Sequence, residues 1–138
     1  MPALTRWCIR AALVNLLAAL TVGVLLAVGL LPDPFRPVFY HLFMLGGVAQ
    51  FIFGVAWWMF PPLSRERPRG NEAAGWAGFV LLNAGMLLRA VAEPAVALSP
   101  APWVRVLLLL SAAALVAAGG VFAGLLWPRV KPRPGKEG

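Results

Sequence analysis

Residues 38–62 read VFYHLFMLGGVAQFIFGVAWWMFPP, and this stretch decides what kind of chain carries it. From Val38 to Phe60 there are about 23 residues, which as a helix extend roughly 34 Å, enough to cross a hydrocarbon core of about 30 Å. His41 near one end is the only histidine of the chain. Trp57, Trp58 and the pair Pro61-Pro62 close the other end, where proline stops a helix. The stretch predicts a membrane-crossing helix with a titratable group at one end.

Composition extends that reading to the whole chain. Of 138 residues, 61% are hydrophobic and 12% are charged, against about 25% charged in an ordinary soluble domain. Mean hydropathy is +0.82. So small a chain cannot hide this much apolar surface in a soluble core, so lipid is the expected solvent and one membrane domain the expected unit. The net charge is +7, but the basic residues stand at the ends of apolar runs rather than in an aromatic-laced patch. That pattern excludes nucleic acid as the expected partner and points to topology. Cys8, the one cysteine, rules out an intrachain disulfide and reads as a small apolar thiol.

Working outward, four spans emerge: 11–31, 38–60, 72–92 and 103–127. Residues 1–10 read as a short basic N-terminus. The first run is too long for a signal-peptide core and lacks a small-residue cleavage site. PDPFRP (32–37), PPLSRERPRGN (61–71) and SPAP (99–102) separate the spans by their prolines. Residues 128–138, basic and rich in Pro and Gly, read as a disordered tail. All six tryptophans fall near span ends, as an interfacial belt requires.

Nine of the twelve Lys and Arg fall at one end of these spans: Arg6, Arg10, Arg65, Arg67, Arg69, Arg129, Lys131, Arg133 and Lys136. Arg36, Arg89 and Arg105 fall at the other. The expected fold is therefore an all-α, up-and-down bundle of four transmembrane helices with both termini cytoplasmic, multi-pass in the cell (inner) membrane.

Helical spacing divides the second span into two faces. Gly47, Gln50 and Gly54 form a packing seam, while His41, Leu45, Val48 and Ile52 leave a face for a cavity or another subunit. Asn15 is expected to bond a neighbouring helix, and Gly120-x-x-x-Gly124 and the run Ser111 to Ala114 read as packing signals.

Topology gathers His41, Arg36, Arg89 and Arg105 at one membrane face, a functional-site hypothesis by default. The plain alternative is that the arginines snorkel or pair with Asp33 and Glu93. A neutral imidazole suits a haem iron and arginines suit its propionates, which nominates His41 as metal ligand with Arg89 and Arg105 around a haem b. Met44, Met86, the His41 of a second copy, a ligand from another protein or an open position remain as the sixth coordination. No Ser-His-Asp set, HExxH, CxxC or phosphate loop is present, and no carboxylate is expected in mid-membrane, which argues against a proton-coupled antiporter.

The stretch also resembles a known family. His41, Gly46 or Gly47, Ile52-Phe53-Gly54, Trp57 and Phe60-Pro61 are similar to the second helix of the haem-copper oxidase subunit I superfamily, nearest the cbb3-type and nitric-oxide-reductase-like members. Leu82-Asn83-Ala84-Gly85 resembles a segment of the next helix. The likeness covers residues 38–90. It implies a low-spin haem on His41 and a role in electron transfer or haem handling beside a respiratory complex. The chain departs from the family in having four spans and no second histidine, so it is not expected to be an enzyme alone. The competing expectation is a cofactor-free structural or assembly subunit, as a homo-oligomer or within a larger complex; a small-solute transporter comes third.

Overall fold

The structure, a computed structural model, describes residues 1–130; the expected disordered tail lies mostly outside the described residues. Four helices are long and apolar enough to cross a membrane: Ala3–Ala27, Asp33–Met59, Glu72–Leu98 and Pro102–Arg129. Among the described residues there is no strand. The chain is an all-helical, multi-pass membrane-type protein.

Local chemistry sets the helix ends. The first helix stops where Gly29 takes φ +75, and the Leu30 N–H turns back onto the Leu25 carbonyl at 2.9 Å. Such a left-handed C-terminal residue favours glycine. This helix begins at Ala3 and ends at Ala27, whereas the apolar run had suggested 11–31. Arg6 and Arg10 are thus helical, since in lipid a segment closes its backbone bonds internally. Asn71 caps the third helix, its side chain accepting from the Ala74 N–H at 3.1 Å. Pro102 opens the fourth as a first-turn proline, where no N–H is needed.

The third helix corrects a larger error. It was expected to end near Ala92, before a loop over 93–102, yet it runs through a buried Pro94 to Leu98. The apolar residues 95–98 keep the chain in helical form despite the one missing N–H. Glu93 therefore lies inside a helix rather than in a loop.

The second helix is not uniform. It is α-helical over Arg36–His41, winds as a π-helix over Leu42–Ala49, and returns to α over Gln50–Met59. At the join the Gln50 N–H reaches the Leu45 carbonyl, five residues back. Counting faces at the ordinary helical period from His41 fails across such a segment. Across it the expected face divides: His41 is drawn to Glu93 of the third helix at 3.0 Å, whereas Ile52 is exposed, as a free face requires.

Glycines govern the packing of the first two helices. A Cβ on Gly47 would stand 2.5 Å from Leu16 Cδ2, and one on Gly54 would stand 2.7 Å from Cys8 Cβ. Asn15 Nδ2 donates to the Gly46 carbonyl at 3.1 Å and to Gln50 Oε1 at 3.2 Å. The expected seam and the expected Asn15 bond are both present. The third helix lies along the fourth, with Gly78 against Phe122 and Gly85 against Leu115. Phe53 stacks on Phe122 at 4.7 Å between centroids, joining the second helix to the fourth.

Two boundary residues are core residues instead. Trp57, expected in an interfacial belt, is buried with Leu4, Cys8, Ala56 and Leu126. Arg129, expected in a disordered tail, lies on a short 3-10 turn, Trp127–Arg129, and is 1% exposed. Its Nε donates to the Pro61 carbonyl at 3.0 Å, and one terminal nitrogen donates to the Trp57 and Phe60 carbonyls at 3.0 and 2.7 Å. The guanidinium thereby closes the C-terminal end of the second helix, whose last carbonyls lack helical donors.

Candidate functional site

At the opposite end of the second helix, His41 sits on the last turn before the π-helical segment. Its Nδ1 is 2.9 Å from the Pro37 carbonyl and 3.0 Å from Glu93 Oε1 on the third helix. Both are acceptors, so the neighbourhood assigns the proton to Nδ1. Its Nε2 is 3.4 Å from a terminal nitrogen of Arg89, which can only donate. A neutral imidazole fits this arrangement, giving a proton on one side and accepting one on the other.

Arg89 and Glu93 are four residues apart on one helix face and meet at 3.1 Å. Arg89 Nε also donates to Ser111 Oγ at 3.2 Å, and Ser111 Oγ donates to the Gly85 carbonyl at 2.8 Å. Ser111 belongs to the fourth helix. The cluster thus ties the second, third and fourth helices together at one end. The Glu93 and Arg89 side chains are only 10% and 18% exposed. One full negative charge is matched by one full positive charge, as a poorly hydrated pair requires. His41 itself, expected on a face free for a cavity or another subunit, is applied to the third helix through Glu93.

The other nominated residues separate. Arg105 borders a shallow cavity of about 470 Å³ with Arg89, Glu93, Leu108, Leu109 and Ala112. Among the described residues it has no ion-pair partner. Met44 is exposed. Met86 is buried and lines a different cavity, between the first and third helices. Arg36 pairs with Asp33 at 2.7 Å, so two of the three arginines at this end follow the pairing alternative. No group of three or more His, Cys, Asp or Glu gathers as a metal site among the described residues.

These placements test the haem donor set. A carboxylate and a carbonyl on Nδ1 form the outer-shell arrangement that presents Nε2 to a metal. Here, however, Nε2 faces a guanidinium, and Arg89 is committed to Glu93 and Ser111 rather than free for a propionate. Neither Met44 nor Met86 shares the cluster. As placed, the residues do not form a haem pocket.

His41, Arg89 and, as the pairing alternative, Glu93 were all legible in the sequence; the bond from His41 to Glu93 and the part of Ser111 were not. The i, i+4 spacing of Arg89 and Glu93 was the available signal for the pair, although Glu93 was expected in the 93–102 loop, beyond the helix. No protein-family model, no curated protein and no solved structure matches the chain.

Proposed function

We propose that the protein is a cofactor-free, non-catalytic subunit of the cell membrane, a four-helix bundle with cytoplasmic termini that assembles with other membrane helices. The observation that carries this reading is the outward face of the fourth helix. Ala113, Ala117, Gly120 and Gly124 follow one another at helical spacing and are exposed. A Cβ placed on Gly120 or Gly124 would meet nothing within 4 Å. These glycines, read from the sequence as a packing signal, serve no contact among the described residues. A small-residue face directed at lipid lets a second helix approach closely, the usual basis of association in a bilayer. The His41 cluster supports the same reading, since its groups are engaged with one another and hold three helices in register.

Native electrophoresis of gently solubilised membranes tests this. Wild type is expected to migrate well above the mass of one chain, with Gly120→Ile and Gly124→Ile shifted to that mass. Wild type running as a single chain overturns the assembly reading.

The haem reading has one observation in its favour, the anchoring of His41 Nδ1 described above. It requires Arg89 to leave Nε2 and abandon Glu93, a carboxylate 10% exposed. The cofactor-free reading requires no such rearrangement.

A further inference from the structure

The first and third helices touch at one level and then part. Near the chain start they are in contact, where a Cβ on Gly75 would stand 2.8 Å from Leu4 Cδ2. Beyond it the first helix follows the second, held by Gly47 and Gly54, while the third follows the fourth through Gly78 and Gly85. The divergence leaves a cavity of about 430 Å³, walled by Ala11, Val14, Leu42, Phe79, Met86 and Ala90 among others. Its walls are overwhelmingly apolar, with Asn15 and Asn83 the polar side chains among them, and it lies between two membrane-length helices.

Trp7 and Arg10 stand at one mouth of this groove, and both are exposed. Among the described residues Arg10 has neither an ion pair nor a side-chain hydrogen bond. Arg6, one turn earlier on the same helix, likewise lacks a carboxylate partner. The groove thus combines an apolar channel, an interfacial tryptophan and an uncompensated positive charge at its rim. A zwitterionic lipid offers this rim no net charge, whereas an anionic headgroup matches both its charge and the acyl-sized channel beneath it.

We propose that this groove seats one anionic phospholipid, with an acyl chain between the first and third helices and the phosphate on Arg10. The inference rests on the membrane-spanning character of the chain and not on the assembly reading above. A guanidinium binds phosphate through paired N–H donors. A basic residue near an anionic lipid surface contributes about 1 kcal/mol, or about fivefold.

Native mass spectrometry of the full chain released from nanodiscs of mixed phosphatidylglycerol and phosphatidylcholine tests it. Wild type is expected to retain one phosphatidylglycerol about fivefold more often than phosphatidylcholine. Arg10→Gln should remove the preference, and Ala90→Phe, which fills the groove, should remove retention of both lipids. Arg105→Gln, which lies on a different cavity, should leave the preference intact. Circular dichroism confirms that each variant is folded. Equal retention of the two lipids by wild type, an unchanged preference in Arg10→Gln, or full retention in Ala90→Phe overturns the proposal.

Discussion

At the scale of single residues, Glu93 organises the site more than His41 does. Its carboxylate is the one full negative charge in the cluster, and both His41 Nδ1 and Arg89 converge on it. Removing one member of a buried pair leaves the other charge unmatched, a loss of about 3 kcal/mol or more. Glu93→Gln is therefore expected to lower stability by about 3 kcal/mol in denaturant unfolding in detergent. The double variant Arg89→Met, Glu93→Met should cost less than the sum of its single changes, because both charges leave together. His41→Ala should cost less than Glu93→Gln, since its side chain is 31% exposed whereas that of Glu93 is 10% exposed. Strictly additive costs at Arg89 and Glu93 would show that the two do not act as a pair.

Among the helices, the glycines divide into two functional sets that sequence spacing does not distinguish. Gly54 meets the first helix so closely that a Cβ would fall 2.7 Å from Cys8 Cβ, while Gly120 meets nothing. Gly54→Val is expected to overpack that contact and cost about 1–3 kcal/mol in the thermal unfolding of the detergent-solubilised single chain. Gly120→Val should leave that unfolding nearly unchanged. Equal effects at the two positions would contradict the division. Much of this level was legible beforehand: four apolar spans, the prolines between them, the Gly47/Gln50/Gly54 seam and the Asn15 bond all follow from composition and helical period. Three features were not. The π-helical winding after His41 depends on backbone hydrogen bonds that no residue type announces. Pro94 ends many helices but not one whose following residues remain in an apolar environment. Arg129 reads as a tail charge until the open carbonyls of residues 57–61 are brought beside it.

For the molecule as a whole, the two ends are built by different means. Near the termini the helices close on an apolar cluster around Trp57, sealed by Arg129 on the last carbonyls of the second helix. At the far end they close on the ionic cluster of His41, Glu93, Arg89 and Ser111. Between these closures lie the outward glycine face of the fourth helix and the groove at Arg10, the two surfaces proposed above for a partner helix and for a lipid. The resemblance of residues 38–90 to an oxidase helix would instead give His41 to a haem. The visible spectrum of the purified protein, expressed with ample haem and recorded oxidised and reduced, separates these roles most directly. With His41 held between Glu93 and Arg89, wild type and His41→Ala are both expected to be colourless, with no Soret band. A Soret band in wild type that disappears in His41→Ala would contradict the account.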